Sequence, residues 1–373
     1  MTLPTLPHLA YAQRLAEQCL TLTAPNPHVG CVITTPDGLV LGQGHTQRAG
    51  GPHAEIMALR NAQASGHSVQ GACAYVTLEP CSHHGRTGPC CDALIAAGIK
   101  QVVASHLDPN PLVAGQGFAR LRAAGVAVQV LPATDLLAQQ ARELNIGFFS
   151  RMVRKTPWVR MKIAASLDGK TALPNGASQW ITSAPARADG HAWRARACAV
   201  LTGIGTVLAD NPRLDVRLLP TERQPTLVLL DSQLQTPLDA ALFVAGRAVW
   251  IWAAGQNDVK KQALQARAAS VFHRPGPDGR VDLHALLHDL AAREVNELHV
   301  EAGPRLNGAL IQAGLVDELL IYLAPKLIGL GADMASFGPL TALTQALPLV
   351  FQSTDQVGPD LRILARVQGR DRF

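Results

Sequence analysis

Pro52-His53-Ala54-Glu55 opens the most informative stretch of the chain, and Glu79-Pro80-Cys81 followed by Cys90 completes it. A helical pattern over 54–64 and a β-rich run over 72–78 separate the two parts, which predicts an α/β layered domain. One imidazole and two thiolates are the three protein ligands a hydrolytic zinc site uses, with one position left open for water. Glu55 stays in the first helical turn but leaves the direction of His53, so its carboxylate is free to carry a proton. Cys81 follows a strand and Cys90 stands at or near a helix start, where the dipole and unpaired N–H groups favour thiolate.

The pattern matches the zinc-deaminase signature H-x-E, then P-C and a second cysteine, in which the glutamate is the proton shuttle. It departs from the usual P-C-x-x-C, because eight residues, Ser82 to Pro89, separate the two cysteines. That loop, Ser82-His83-His84-Gly85-Arg86-Thr87-Gly88-Pro89, is polar, and its Arg86 suits an anionic or hydrogen-bonding substrate. The competing reading is a closed zinc site that only braces the fold. It needs a fourth ligand, for which His83, His84 and Cys91 are available, and Cys91 could also replace Cys90. A mechanistic role for every member of the His53, Glu55, Cys81, Cys90 set favours the open site. Cys19, Cys31, Cys73 and Cys198 have apolar neighbours and read as core thiols. Asn26, in Pro25-Asn26-Pro27, and Asp108-Pro109-Asn110-Pro111 are proline-fixed turns that either only turn the chain or hold an amide against a ring edge.

Outward from this centre the pattern alternates. A helix is expected over 8–22, strands over 29–34 and 39–44 around Pro36-Asp37-Gly38, a helix over 90–97 and a strand over 101–105. A helix over 117–124, a strand over 126–131 and a helix over 134–144, capped by Thr134 or Asp135, follow. The basic segment 145–156 ahead of Pro157 predicts the boundary between domains 1–150 and 151–373. A second α/β pattern then has strands over 158–164, 199–202, 226–230, 248–253, 297–300 and 318–323. Its helices are expected over 184–197, 259–268, 283–293 and 305–313, and no internal repeat relates the halves.

A length of 373 residues agrees with two domains at roughly 150 residues each. With 47% hydrophobic and 16% charged residues and a mean hydropathy of +0.11, the chain is neither disordered nor a coiled coil. No apolar run approaches the roughly 20 residues that span a bilayer. Gln13, Arg14, Glu17 and Gln18 interrupt 9–22, which has no basic leader, so a cytoplasmic protein without a membrane partner is expected. Seven thinly spread cysteines are not a disulfide framework and imply reduced thiols. The net charge of +5 is mild, and scattered basic residues with only 4% aromatics argue against a nucleic-acid surface.

The second half is less explicit. Val300 to Gly308, with Glu301, Gly303, Pro304, Arg305, Leu306 and Asn307, reads as strand, glycine turn and helix start, which aims backbone N–H groups at a phosphate or simply turns the chain. Thr202-Gly203-Ile204-Gly205-Thr206 is a second glycine-rich turn of this kind. Lys162 alternates with Met161 and Ile163 in an expected strand, and its ammonium needs a carboxylate, for which Asp210 and Glu301 are candidates.

On these motifs the chain resembles the bifunctional deaminases and reductases of riboflavin biosynthesis over nearly its whole length. The resemblance rests on Pro25-Asn26-Pro27, His53-Ala54-Glu55, Glu79 to Thr87, Cys90 and Asp108-Pro109-Asn110-Pro111 in the first half. In the second half it rests on Ala164 to Lys170, Ser178 to Thr182, Thr206 to Pro212 and Glu301-Ala302-Gly303-Pro304. Gly88 departs from the proline usual in the family loop and is expected to loosen it. The resemblance implies a cytidine-deaminase-like three-layer domain followed by a dihydrofolate-reductase-like α/β domain. It implies zinc-dependent deamination of a phosphoribosylamino-pyrimidine, then NADPH-dependent reduction of its ribosyl group to ribityl. By carry-over, Ala164, Trp180, Thr206, Asp210 and the Gly303 turn touch the cofactor, while Ser178, Arg194, Leu214, Arg217 and Glu301 touch the substrate. Two arginines suit a ribose phosphate, against the plainer reading of a solvated surface pair. A homo-oligomer acting on a small molecule is expected. The alternatives are a nucleoside or tRNA deaminase with an accessory domain, and an inactive zinc-binding module, against which the intact Glu55 speaks.

Overall fold

Apolar residues that alternate along adjacent strands decide the first of two compact units. The computed structural model describes residues 6–83, 88–111 and 113–373, which divide into 1–155 with Phe373 and 156–372. The first unit runs α1 (Leu6–Glu17), β1 (Gly30–Thr34), β2 (Val40–His45), α2 (Ala54–Ala64), β3 (Cys73–Val76) and α3 (Cys90–Ala96). It continues with β4 (Gln101–Ala104), α4 (Gln116–Ala123), β5 (Ala127–Val130), α5 (Leu136–Leu144) and α6 (Ile146–Arg154). The sheet order is β2-β1-β3-β4-β5, with β1 antiparallel to β2 and β3 and the remaining pairs parallel.

Cys31, Ile33, Ala74, Val76, Val102 and Ala104 share one core with Ala58 of α2, Leu94 of α3, Phe118 of α4 and Phe149 of α6. The intervening Val32, Tyr75 and Val103 share another with Leu9 and Ala12 of α1 and Ala138 of α5. Period-two alternation thus gives three layers, helices on both faces of one sheet. Two expectations change. Helix α1 ends at Glu17 rather than near 22, because tighter turn bonds from Gln18 N to Leu15 O and Cys19 N to Ala16 O take over. The segment 145–156, read as a boundary from its charge and proline, does hold the division between the units, at 155/156, but it is largely helix α6, since Ile146, Phe148 and Phe149 bury an apolar face while Arg151 and Arg154 fill the last turn. Asp135, not Thr134, caps α5 by accepting from Leu137 N at 2.8 Å.

The second unit runs β6 (Trp158–Ser166), β7 (Lys170–Ala172), α7 (Ala184–Arg196), β8 (Ala199–Gly203), α8 (Ile204–Asp210) and β9 (Thr226–Leu230). Next come β10 (Val249–Ala253), α9 (Asp258–Ala266), β11 (Ala269–His273), α10 (Leu283–Ala292), β12 (Glu297–Val300) and α11 (Pro304–Gln312). It ends with β13 (Glu318–Ala324), β14 (Ala332–Asp333), β15 (Leu349–Val357) and β16 (Asp360–Val367). Nine strands form one sheet in the order β11-β10-β9-β8-β12-β6-β13-β16-β15, parallel as far as β13 and antiparallel over β16 and β15. The β15–β16 hairpin escaped the hydrophobic pattern because β15 is an edge strand that leaves Leu349, Val350 and Phe351 exposed. Helix α8 replaces the second glycine-rich turn, with Gly203 as its N-cap. No helix of the described residues is long and apolar enough to cross a membrane.

A buried ionic chain crosses this sheet. Arg160 of β6 reaches Glu297 of β12 at 2.7 Å and Glu318 of β13 at 2.6 Å. Arg196 of α7 meets Glu297 at 2.8 Å, and Arg366 of β16 meets Glu318 at 3.3 Å. Burial alone raises the pKa of Glu297, but Arg196 and Arg160 outweigh it and hold the carboxyl at about 2 against an ordinary 4.5. A depressed carboxylate stabilises the fold above its unfolded pKa and loses that contribution as pH falls, here from 4.5 towards about 2. Glu297→Gln should cost about 3–5 kcal/mol near neutrality and flatten the acid limb of stability. Denaturant titration read by tryptophan fluorescence checks it, since all five tryptophans lie in the second unit.

Candidate functional site

In the first unit the metal-ligand types converge where two helices begin. His53 is the N-cap of α2, Glu55 lies in that helix's first turn, Cys81 lies in the loop after β3, and Cys90 opens α3 behind Pro89. His53 Nδ1 stands 3.6 Å from Cys81 Sγ and 3.4 Å from Cys90 Sγ, and the three ligand atoms lie within 4.8 Å of one another. Zn–S bonds of about 2.3 Å and Zn–N bonds of about 2.0–2.1 Å in a tetrahedron demand an S···N edge of about 3.5 Å, so the trio fits zinc as it stands. Among the described residues no fourth His, Cys, Asp or Glu joins it. Cys91 is packed in the core beside Leu94 and Phe118, and His83 is exposed. His84, Gly85, Arg86 and Thr87 lie outside the described residues.

Cys81 Sγ accepts from the Cys90 thiol, from His53 and from the Cys90 backbone N–H at 3.3 Å, which pulls its pKa down to about 4. The Cys81 thiolate in turn pushes the Cys90 thiol upward. Burial, followed by the charge of Cys81, raises Glu55 to about 7, the range in which a carboxyl both takes and gives a proton near neutrality.

Glu79 has a role that its place in the motif did not reveal. Its buried carboxylate accepts from Asp108 N at 3.1 Å and Gly115 N at 2.9 Å on one oxygen, and from Phe118 N at 3.1 Å on the other. The segment around Asp108-Pro109-Asn110-Pro111 and the start of α4 are thereby fastened to the residue two before Cys81. Gly117 permits the approach, because a Cβ there would stand 2.1 Å from Pro80 O. The readable signal was an acidic residue after a strand followed, 36 and 38 positions on, by Gly115 and Gly117. Asn26 lies in a turn closed by its own N–H on Thr23 O at 2.9 Å.

In the second unit Glu301, just past β12, is the hub. Arg194 of α7 grips it bidentately, Nε to Oε1 at 2.7 Å and Nη2 to Oε2 at 3.0 Å. Lys162 Nζ lies 3.9 Å from Oε2 and His299 Nε2 3.6 Å from Oε1. Of the two carboxylates considered for Lys162, Glu301 is the partner, whereas Asp210 is exposed at the end of α8. Burial raises the pKa of Glu301, but Arg194, Lys162 and His299 together hold it well below the usual range, and burial lowers that of Lys162.

Arg217 pairs with Asp215 at 2.8 Å and its N–H donates to His191 Nδ1 at 3.2 Å, so Arg194 and Arg217 are not a free solvated pair. The Leu214 side chain is packed in the core with Val200, Val207 and Leu227, so only its backbone, in the left-handed region at φ +52°, is left for a ligand. Ala164 and Ser178 are half-buried, and Trp180 is 61% exposed beneath the Arg187 guanidinium, 4.4 Å from its ring centre. The two glycine turns come together. Gly303 caps α11, a Cβ on it would stand 3.9 Å from Thr206 Oγ1, and one on Gly203 would stand 3.2 Å from Leu306. Pro304 begins that helix, Arg305 is exposed, and buried Asn307 donates to Met334 O at 2.9 Å with its Oδ1 unpartnered among the described residues. First-turn N–H groups beside a threonine hydroxyl are a donor set that fits a dinucleotide pyrophosphate.

Comparison with known proteins agrees with both halves. Residues 6–106 match the cytidine and deoxycytidylate deaminase zinc-binding region, and residues 157–363 match the RibD C-terminal domain. The riboflavin biosynthesis protein RibD of Escherichia coli K12 is 46% identical over 368 residues, covering 95% of this chain and 97% of that protein. That of Aquifex aeolicus is 38% identical, covering 95% of this chain and 96% of that protein. The RibD structure from Acinetobacter baumannii superposes with a TM-score of 0.86 at 38% identity, covering 97% of this chain and 98% of that one. A Thermotoga maritima structure described as a diaminohydroxyphosphoribosylaminopyrimidine deaminase and 5-amino-6-(5-phosphoribosylamino)uracil reductase gives 0.82 at 30% identity, with 97% and 98% covered. Likeness along the whole length disfavours a nucleoside or tRNA deaminase with an accessory domain. The chain belongs to the riboflavin biosynthesis protein RibD family, whose members join a zinc-binding deaminase to a reductase.

Proposed function

We propose that this bifunctional riboflavin-biosynthesis enzyme divides its chemistry between residues 1–150, a zinc-dependent pyrimidine deaminase, and 151–373, an NADPH-dependent reductase. The first converts 2,5-diamino-6-(5-phosphoribosylamino)pyrimidin-4(3H)-one to 5-amino-6-(5-phosphoribosylamino)uracil, and the second reduces the ribosyl group to ribityl. The observation that carries this reading is the His53, Cys81 and Cys90 trio, spaced for zinc beside the buried Glu55. Bound there, zinc supplies activation of water as a nucleophile at neutral pH. Glu55 would carry two protons in turn, the first from the attacking water to the ring nitrogen and the second from the hydroxyl on the attacked carbon to the departing amine. Glu79 holds the 108–118 segment in register with the Cys81 loop, and so positions Asp108 and Asn110 for the substrate.

In the reductase, the Gly303, Pro304, Arg305, Leu306 and Asn307 turn, with Ala164, Trp180, Thr206 and Asp210, receives NADPH, which supplies the hydride. Arg194, Arg217, Ser178, Glu301 and the Leu214 backbone receive the substrate, and Lys162 adds a cation beside Glu301. The preference for NADPH over NADH rests on the family likeness. Reduced cysteine ligands fit a cytoplasmic setting. Apolar Leu343, Val350 and Phe351, exposed on and beside edge strand β15, support a homo-oligomer.

Mass spectrometry of the diaminopyrimidine substrate incubated with protein tests both reactions and their order. An amino-to-oxo change without cofactor, then two added hydrogens only with NADPH, is expected; no change from zinc-loaded protein sinks the assigned substrate. Glu55→Gln should keep zinc while slowing ammonia release by roughly 10²- to 10⁴-fold. Undiminished turnover in that variant would remove Glu55 from the mechanism. Glu79→Ala leaves the N–H groups of Asp108, Gly115 and Phe118 without this acceptor, at about 1–3 kcal/mol for each of the two that are buried, Asp108 and Phe118. Faster amide exchange at Asp108, Gly115 and Phe118 should accompany a raised deaminase KM at full zinc content. Exchange that stays slow would deny Glu79 its fastening role.

A further inference from the structure

Asn145 ends α5 and begins α6, a place where an asparagine side chain commonly caps the new helix. This one makes no cap bond and turns to the loop before β1 instead. Its Oδ1 accepts from His28 N at 2.7 Å, and its Nδ2 donates to His28 O at 2.9 Å and to Ala141 O at 3.1 Å. Asn145 is 2% exposed, and its amide pairs with both backbone groups of a residue 117 positions away, as a neighbouring strand would. His28 closes the turn that holds Pro25-Asn26-Pro27. Within that turn Asn26 N donates to Thr23 O at 2.9 Å, and Thr23 Oγ1 donates to Asn26 O at 3.2 Å and meets His28 Nδ1 at 2.7 Å. Arg151 of α6 donates to Pro25 O at 3.4 Å. These bonds occupy the backbone of Asn26 and leave its side-chain amide unspent.

The sheet puts this turn at the same end as the metal residues. Strand β1 runs antiparallel to β2 and β3, and β4 is parallel to β3, so the start of β1 shares one sheet end with the finishes of β2, β3 and β4. His53 follows β2, Cys81 follows β3 and Asp108 follows β4, while Asn26 precedes β1. Gly30 N donates to Thr77 Oγ1 at 3.1 Å and Thr77 N to Gly30 O at 3.1 Å, which couples the turn to the segment that runs on to Cys81. Helix α6 backs the other proline-fixed loop too, since Phe149 meets the His106 ring edge-on at 5.0 Å, two residues ahead of Asp108. A side-chain amide offers two donors and an acceptor to a ring edge, and it selects that ring only if its own backbone is held still. We propose that Asn145 is a positioning residue of the deaminase: its amide fixes the Thr23–His28 turn so that the Asn26 side chain meets the pyrimidine ring. The ring, but not the hold on the turn, rests on the deaminase reading given above.

The test is a double-mutant cycle on the full-length zinc-loaded protein, read by ammonia release and by amide exchange. Asn145→Ala should raise the deaminase KM about tenfold at unchanged zinc content, and should speed exchange at Asn26 and His28. Asn26→Ala alone should raise KM by about as much. Adding Asn145→Ala to it should change KM by less than about twofold, because no amide is left to position. Should Asn145→Ala fail to fold, Thr23→Val removes the bonds to Asn26 O and His28 Nδ1 and takes its place in the cycle. Effects that multiply in the double variant describe a general loosening and overturn the proposal, as does a wild-type KM in either single variant. A zinc-loaded wild type that releases no ammonia rejects the deaminase reading instead. Exchange then decides alone: a faster rate at His28 in Asn145→Ala keeps the hold on the turn, and an unchanged rate removes it.

Discussion

A charge taken out of water must meet an opposite charge, and in the second unit this requirement fixes where a helix sits. Parallel sheets covered on both faces are normally apolar, yet one face of β6 and β12 carries Arg160, Lys162, Glu297, His299 and, just beyond, Glu301. Helix α7 brings Arg194 to Glu301 and Arg196 to Glu297. A slide of one helical turn would leave both carboxylates buried without those partners, at several kcal/mol each. The register of α7 is therefore set by charge, and His191 and Arg194 are carried to the candidate substrate residues as a consequence.

The first unit treats its buried carboxylates differently, and the difference separates scaffold from chemistry. Glu79 is satisfied by three backbone N–H groups and acts as a fastener. Glu55 has no arginine or lysine partner among the described residues, and burial leaves it readily protonated. A buried carboxylate that no arginine or lysine neutralises, set beside the metal trio, is one that can exchange a proton during turnover.

The metal centre was legible in the sequence because its parts are local: His53 and Glu55 share a helix start, and Cys81 and Cys90 flank one loop. The helix over 54–64 follows the expected bounds, since short-range pattern and tertiary packing agree there. The second site draws on Lys162, Arg194, Asp215, Arg217 and Glu301, contributed by separate stretches of the unit, so no spacing rule could assemble it. Helix α6 was hidden for the opposite reason, since its arginines and the following proline marked a domain boundary while its buried phenylalanines carried the helix.

The close approach of Pro80 O to Gly117 ties the metal loop to a backbone atom far along the chain. One added methyl group there has nowhere to go except into the carbonyl that precedes Cys81. A side chain at this glycine would therefore press on the loop that carries Cys81 while leaving every metal-ligand residue intact. The integrity of the metal loop thus depends on a residue that coordinates nothing.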